Sequence, residues 1–225
     1  MTQLAALTWP DATAQAAGTL LAVPVGSTEQ HGPHLPLSTD TELAVALADR
    51  LARRRGDVLV APAIAYGSSG EHSAFAGTLS IGQTALEHLL VELIRSADAF
   101  AGAVLVSTHG GNAQPVARAV EWLEHEGRRV RAWRPPTTDP ADAHAGHAET
   151  SLILALRPAG VRLDRVEAGT RQPLDELWPA LRRAGVAAVS TNGVLGDPTG
   201  ASAAAGEELL AEWTEDLLRA VEGWP

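Results

Sequence analysis

Carboxylate and imidazole side chains are concentrated in one short stretch, VPVGSTEQHGPHLPLSTD, at residues 23–40. Glu29, His31, His34 and Asp40 lie in the part that follows its apolar start. Because residues two apart in an extended segment face the same side, Glu29 and His31 can both point into one pocket. A loop that only reversed the chain would not need these groups. We therefore interpret the stretch as part of a site that performs chemistry.

Two further stretches carry the same residue types. His109 follows the apolar run AGAVLVST and begins the sequence HGGN, whose glycines permit a tight turn from a strand into a helix. His144 and Glu149 lie in ADAHAGHAETSLILAL, where the pattern predicts the start of a buried helix. Taken singly, His109 is better explained as a buried or capping histidine. Taken together, one set of residues is predicted to bind metal: Glu29, His31, Asp40, His109 and Glu149.

These carboxylates and imidazoles are the ligand types that one or two divalent ions would take. A divalent ion lowers the pKa of a bound water to about 7, which supplies the strong nucleophile that amide hydrolysis near neutral pH requires. Two ions about 3.5–4 Å apart would need a bridging carboxylate, and Asp40 is our candidate for it. Zinc, iron and manganese all accept such ligands, so the sequence leaves the metal and the number of ions open.

Composition excludes several other classes of protein. The chain has no cysteine, which excludes disulfides, thiolate nucleophiles and Cys-type zinc sites. Its formal net charge of −10 argues against nucleic-acid binding, which requires clustered Lys and Arg. Every apolar run is far shorter than the ~18 residues of a transmembrane helix, and the start of the chain lacks the pattern of a secretory signal. We therefore expect a cytoplasmic protein without membrane contact.

The elements that must position these residues follow from the hydrophobic pattern. Four β-like runs, TLLAVPV, DVLVAP, AGAVLVST and RRVRAW, alternate with helical patterns. This alternation is typical of an α/β domain whose largely parallel sheet is covered by helices on both faces. Ligands of such sheets bind beyond the carboxyl ends of the strands, where two of the candidate segments lie. The length of 225 residues favours one domain, residues 1–225, over two.

Four motifs resemble those of the creatininase family of metal-dependent amidohydrolases. They are EQHGPHLPLSTD at 29–40, EHSAFAGT at 71–78, HGGN at 109–112 and HAGHAETS at 144–151, in the same order along nearly the whole chain. The resemblance implies a three-layer α/β/α sandwich, a homo-oligomer (a hexamer or similar) and an active site at the carboxyl ends of the strands. It also implies that metal is bound by Glu29, His31, Asp40 and His109, with Asp40 bridging two ions.

One position departs from the pattern of the creatinine-hydrolysing members. They have a glutamate two residues after the motif histidine, where this chain has Gly111. The second metal position must therefore change or use another carboxylate, and Glu149 is the candidate. Glu149 could alternatively remain uncoordinated and act with His144, our candidate for transferring a proton to the leaving amine. The same departure argues against creatinine itself as the substrate.

The last third of the chain resembles one particular branch of this family. HAGHAETSLILAL, PLDELWPALRRAGV and STNGVLGDPTGASAAAG are similar to a peptidase branch of the family. That branch cuts a modified precursor peptide before a cross-linked C-terminal Val-Tyr unit, which becomes the core of a redox cofactor. Two alternatives stay open: an amidohydrolase acting on a small cyclic amide or formamide, and a non-catalytic, metal-stabilised scaffold that binds a peptide.

Three other motif residues receive no metal-binding role. We interpret His34 as a hydrogen-bonding residue that supports the ligands. Glu71 and His72 follow the flexible segment YGSSG and could form a pocket rim or pack against a neighbouring subunit.

Overall fold

The computed structural model describes residues 3–137 and 139–224. At its centre lies a four-stranded sheet with the strand order β2-β1-β3-β4, in which every neighbouring pair is parallel. The strands are β1 (Leu20–Val25), β2 (Val58–Val60), β3 (Gly102–Ser107) and β4 (Val130–Trp133). Each strand lies in one of the four apolar runs, so the predicted parallel sheet is confirmed.

Seven α-helices accompany the sheet in the described part of the chain. They are α1 (Trp9–Ala16), α2 (Thr39–Arg55), α3 (Gly82–Arg95), α4 (Ala113–His125), α5 (His147–Leu156), α6 (Leu174–Ala184) and α7 (Ala203–Ala220). Helices α3 and α4 cover one face of the sheet, and α2, α5 and α7 cover the other. This is the predicted three-layer arrangement. None of the described helices is long and apolar enough to span a membrane.

The side chains of β1 alternate between the two helical layers. Leu21 and Val23 face α3 and α4, whereas Leu20 and Ala22 face the layer of α2, α5 and α7, and all four side chains are buried. A strand that is buried on both faces requires a continuous apolar run, which the sequence of β1 provides. Polar groups are therefore excluded from the strand and collect in the loop that follows it.

The strand order also locates the expected binding edge. Strand β2 pairs with one edge of β1, and β3, which comes later in the chain, pairs with the other edge. The crevice between the carboxyl ends of β1 and β3 is therefore the point at which the direction of the crossovers reverses. Ligands of open α/β sheets bind in such a crevice.

Helix α2 begins at this edge and carries its charges where the helix dipole favours them. Asp40 and Glu42 lie in its first turn, and residues 53–55, all arginine, lie in its last turn. The partial positive charge at a helix N-terminus favours a carboxylate there. Gly56 ends the helix with a φ of 77°, a conformation that glycine adopts without strain.

Helix α5 is held against the sheet by close packing on α7. A Cβ atom at Gly206 of α7 would lie 2.0 Å from the carbonyl oxygen of Ser151 and 2.9 Å from Cβ of Ala155. Only glycine permits this approach. At the start of α5, the carboxylate of Asp142 accepts hydrogen bonds from the backbone N–H groups of His147 and Ala148. These contacts fix the first turn of α5 beside the carboxyl edge of the sheet.

Candidate metal centre

The structure brings all five predicted metal ligands together at the carboxyl edge of β1 and β3. Glu29 and His31 lie in the loop after β1, Asp40 in the first turn of α2, His109 just after β3, and Glu149 in the first turn of α5. The first four are buried, and Glu149 is partly exposed. Four separate segments therefore contribute to one cluster.

Asp40 lies between two imidazoles. Its Oδ1 is 3.4 Å from Nε2 of His31, and its Oδ2 is 3.4 Å from Nδ1 of His109. The hydroxyl of Ser27 donates a hydrogen bond of 2.6 Å to Oδ2, which fixes the orientation of the carboxylate. Because each oxygen faces a different histidine, the geometry favours the predicted bridging role for Asp40.

Glu29 occupies the centre of the cluster and contacts three imidazoles. Its Oε2 is 3.2 Å from Nε2 of His109, and its Oε1 is 3.4 Å from Nε2 of His72 and 3.9 Å from Nδ1 of His144. His144 was predicted to act at the site. His72 was interpreted only as part of a rim or of a subunit contact, yet its ring is buried and lies against the ring of His144, with centroids 4.5 Å apart.

Glu149 approaches the cluster from the side of His31. Its Oε2 lies 3.8 Å from Nε2 of His31 and accepts a hydrogen bond of 2.6 Å from the backbone N–H of Ala145. Ala145 has a φ of 52° and is the one non-glycine residue with a positive φ among those the structure describes. Left-handed backbone at a residue other than glycine stores strain and is concentrated at functional sites. Here it lies between His144 and the helix that carries Glu149.

Two imidazoles of the cluster are paired with carboxylates. Burial alone would lower the pKa of His31, but the attraction of Asp40, Glu149 and Glu29 raises this pKa to about 10. Burial is opposed in the same way at His109, where Glu29 and Asp40 raise the pKa to about 10. Burial would raise the pKa of Glu29, but the attraction of the neighbouring imidazoles holds that pKa well below its usual range. Without a metal, His31 and His109 are thus protonated near neutral pH, and their positive charges balance the negative charges of Glu29 and Asp40.

Three other groups of the cluster, His72, His144 and Glu149, have pKa values shifted mainly by burial. Burial lowers the pKa of His72 to about 4, and burial together with His31 and His72 holds the pKa of His144 well below its ordinary value. Both rings are therefore neutral near pH 7. Burial also raises the pKa of Glu149 to about 7. A carboxyl group that titrates near neutrality is suited to accept and donate a proton.

Three buried polar atoms of the cluster have no hydrogen-bond partner in the described part of the chain. They are both carboxylate oxygens of Glu29 and Nε2 of His31. A buried polar atom that is left unpaired costs about 1–3 kcal/mol, and more when it is charged. A cation bound between these atoms would satisfy all three, so the residues present fit a divalent metal.

Among the described residues, three sets of side chains have ligand atoms within 4.8 Å of one another. The sets are Glu29 with His31 and Asp40, His31 with His144 and Glu149, and Glu29 with His72 and His144. The first two contain four of the five predicted ligands. His109 belongs to none of the three sets, although it contacts Glu29 and Asp40 through different ring nitrogens.

Gly111 leaves room for a fourth carboxylate. A Cβ atom at this position would lie 2.2 Å from the carbonyl oxygen of Ser68 and 2.6 Å from Oε1 of Glu71. The same oxygen of Glu71 is 3.9 Å from Nε2 of His109. The carboxylate of Glu71 therefore occupies the space that a side chain at position 111 would enter. The side chain of Glu71 is 34% exposed and that of Glu149 is 20% exposed, so these two carboxylates are the parts of the cluster that solvent reaches most.

Two further motif residues hold the surrounding loops. His34 is buried, and its Nε2 lies 2.8 Å from the hydroxyl of Thr150, next to Glu149, as expected of a hydrogen-bonding residue near the ligands. Asn112 donates a hydrogen bond to the carbonyl oxygen of Gly26 and accepts one from the backbone N–H of Ser68. Sequence reasoning gave Asn112 no role, although it is the last residue of the HGGN motif.

Comparison with known proteins decides the family. A family model described as "Creatininase: Creatinine amidohydrolase" matches residues 5–221. The chain belongs to the creatininase family. It is 52% identical over 214 residues to the mycofactocin precursor peptide peptidase of Mycobacterium tuberculosis (strain CDC 1551 / Oshkosh), covering 91% of this chain and 85% of that protein. The protein of the same name from Mycolicibacterium smegmatis is 49% identical over 211 residues, with the same coverage of 91% and 85%.

Solved creatininase structures share the whole fold. A structure described as "Creatininase Mn" superposes with a TM-score of 0.86 at 28% identity and covers 100% of this chain and 99% of that one. A mutant creatininase of the Zn-Zn type has a TM-score of 0.81 at 27% identity and covers 99% and 98%. The family resemblance and the three-layer fold are thus confirmed. This creatininase-family chain is a hydrolase of C–N bonds with a site for a divalent metal.

Proposed function

We propose that this protein is a metal-dependent peptidase that hydrolyses the amide bond before the cross-linked C-terminal Val-Tyr unit of the mycofactocin precursor peptide. Relatives named as peptidases of that precursor are 52% and 49% identical over 91% of the chain. The observation that carries the proposal is the buried cluster, in which Glu29 and His31 present polar atoms without partners at the edge of the sheet. Its product would enter the biosynthesis of a redox cofactor.

We assign the holding of one or two divalent ions to Glu29, His31, Asp40, His109 and Glu149. Zinc, iron and manganese all suit these ligands, and the manganese and Zn-Zn forms of related creatininases support two of the three. When bound, such an ion polarises the scissile carbonyl and lowers the pKa of a coordinated water to about 7.

Proton transfer is assigned to His144, with Glu149 as the alternative if it does not coordinate an ion. The side chain of Glu149 is 20% exposed, and in the metal-free protein burial raises its pKa to about 7, which suits proton exchange near neutral pH. His144 is a neutral imidazole whose Nδ1 faces Glu29. One of these groups takes the proton of the attacking water, and the leaving amine receives a proton before it departs.

The test is mass spectrometry of the metal-loaded protein incubated with precursor peptide that carries the cross-linked Val-Tyr end. A chelated sample and a peptide without the cross-link are run in parallel. We expect metal-dependent release of the C-terminal piece from the cross-linked peptide. His144→Gln should abolish release, whereas His88→Gln, a change to an exposed histidine on α3, should leave it intact. No release at confirmed metal occupancy would refute the peptidase proposal.

The same samples separate the two alternatives. If the peptide is not cleaved, cyclic amides and formamides are offered next, and their hydrolysis would identify a different substrate class for the same cluster. Peptide affinity is measured for His144→Ala as well. A non-catalytic scaffold would bind the peptide unchanged and never cleave it, whereas the peptidase loses turnover in this variant.

We further propose that the protein forms a homo-oligomer, a hexamer or similar, in the cytoplasm. Three tryptophans support subunit contacts because their large rings remain uncovered in the single chain: Trp9 is 80% exposed, Trp178 47% and Trp122 44%. Light scattering after size-exclusion chromatography measures the mass directly. A monomer at micromolar concentration would refute the oligomer.

A further inference from the structure

The side chain of Gln30 lies between two imidazoles of the cluster. Its amide nitrogen Nε2 lies 2.9 Å from Nδ1 of His72, 3.0 Å from Nε2 of His144 and 3.0 Å from the carbonyl oxygen of Gly193. Gln30 is buried, with 5% of its surface exposed. One amide group therefore contacts three segments that are distant in the sequence, and all its hydrogen bonds must be made within the protein.

The orientation of this amide is fixed by the backbone. The N–H of Gly32 donates a hydrogen bond of 2.9 Å to Oε1 of Gln30. A backbone N–H can only donate, so the atom facing it is the amide oxygen, and the NH₂ group faces the imidazoles. Gly193 permits the close approach, because a Cβ atom there would lie 2.0 Å from Oε1 of Gln30. The φ of 78° at Gly193 also favours glycine.

The proton of His144 follows from its contact with the backbone of Gln30. Nε2 of His144 lies 2.8 Å from the carbonyl oxygen of Gln30. A carbonyl oxygen can only accept, so Nε2 must carry a proton. In a neutral imidazole the other nitrogen is then bare. That nitrogen is Nδ1, which lies 3.9 Å from Oε1 of Glu29.

The proton of His72 follows by counting donors. The NH₂ group of Gln30 has two hydrogens, and with Nε2 of His144 already a donor, two acceptors remain: the carbonyl oxygen of Gly193 and Nδ1 of His72. Nδ1 of His72 therefore accepts, and Nε2 carries the proton at 3.4 Å from Oε1 of Glu29. The reversed tautomer of His72 would point a lone pair at that buried carboxylate.

We propose that Gln30 is a positioning residue that fixes the proton on Nε2 of both His72 and His144. Its amide group acts on His72, and its backbone carbonyl oxygen acts on His144. The assignment turns the protonated nitrogen of His72 toward Glu29, so this nitrogen is not a metal ligand. It also makes Nδ1 of His144 the bare nitrogen that faces the site, and this consequence rests on the proposed hydrolytic function.

The test is nitrogen NMR of the zinc-loaded, full-length protein with ¹⁵N-labelled histidine, recorded by magic-angle spinning of sedimented protein. The chemical shift of an imidazole nitrogen distinguishes a protonated from a bare atom. His72→Gln and His144→Gln identify the two sets of signals by their disappearance. We expect a protonated Nε2 and a bare Nδ1 on both rings in the wild type. A protonated Nδ1 on either neutral ring would overturn the proposal.

Gln30→Glu provides the sharper comparison. A carboxylate can only accept, so Nδ1 of His72 should become protonated, whereas His144 should keep its tautomer because its partner is the backbone carbonyl. Gln83→Glu adds the same charge at an exposed position and should change neither ring. An unchanged His72 in folded Gln30→Glu would overturn the role of the amide. If that variant fails to fold, the wild-type spectrum still decides. None of these spectra depends on peptide cleavage, so the proposed function can fail while the tautomers stand.

Discussion

Loading the cluster with a divalent ion should release protons from the protein. In the metal-free form, His31 and His109 each have a pKa raised to about 10 by the neighbouring carboxylates, so both rings are protonated at pH 8. An imidazole must be neutral to bind metal. Metal binding at pH 8 should therefore displace about one proton from each ring that coordinates, or about two per subunit.

The magnitude can also be stated as a free energy. A pKa two units above the working pH costs about 3 kcal/mol for each deprotonated ring, because one unit corresponds to about 1.4 kcal/mol. With two rings involved, the apparent metal affinity should rise roughly 100-fold for each pH unit between 7 and 9. Glu149, with a pKa of about 7, adds only about a tenth of a proton at pH 8.

Isothermal titration calorimetry measures the proton count. Zinc is titrated into chelator-stripped protein at pH 8 in several buffers, and the binding enthalpy is plotted against the ionisation enthalpy of the buffer. A water bound to the ion can also release a proton, but it adds the same number to the wild type and to the variants. The decisive quantity is therefore the difference in released protons between wild type and variant. His31→Gln should release about one proton fewer than the wild type, whereas His88→Gln should match it. Equal counts for wild type and His31→Gln would refute the raised pKa of His31.

Three further predictions concern packing and burial. In Gly111→Ala, the new Cβ atom would lie 2.2 Å from a carbonyl oxygen and 2.6 Å from a carboxylate oxygen. Its zinc affinity, measured by competition with a chelator, should therefore fall at least tenfold. Gly110→Ala has open space around its Cβ atom and should bind zinc normally. Leu210→Ala in the core should cost about 2–5 kcal/mol in urea unfolding, and exposed Leu163→Ala should cost less than about 0.5 kcal/mol. His34 has its pKa lowered by burial to about 4, so its contribution is complete above pH 6.5 and lost as the pH falls toward 4. Between pH 6.5 and pH 4, the free energy of unfolding of the wild type should therefore fall by up to about 3 kcal/mol more than that of His34→Gln. An equal fall in both proteins would contradict this reasoning.

Much of the site could be predicted because local pattern and sheet geometry act together. Apolar runs identify β1 and β3, and neighbouring parallel strands end at the same edge. Polar residues that follow both strands must therefore meet, as Glu29 and His109 do at 3.2 Å. The helix start that carries Glu149 was also visible in the sequence. Asp40 was expected in the loop before the next helix, whereas it lies in the first turn of α2, where the helix N-terminus favours a carboxylate.

The roles of other residues depend on three-dimensional contacts that leave no periodic signal. His72 lies in a short 3-10 segment after an irregular loop, and nothing local indicates that its ring turns inward to Glu29. Glu71 reaches His109 only because Gly111 has no side chain. The role of Gln30 requires a donor count across segments 163 residues apart. The hydrophobic pattern of a sequence predicts which residues are buried and whether they form a helix or a strand. It does not indicate which hydrogen-bond donor pairs with which acceptor.

The exposure of the cluster is confined to one pair of carboxylates, which links ion exchange to substrate binding. Glu71 and Glu149 are the partly exposed members of an otherwise buried cluster. Under the proposed function, a peptide that covered these two carboxylates would also cover the route of an ion to the buried ligands. A chelator should then remove the ion more slowly from the peptide complex than from the free protein.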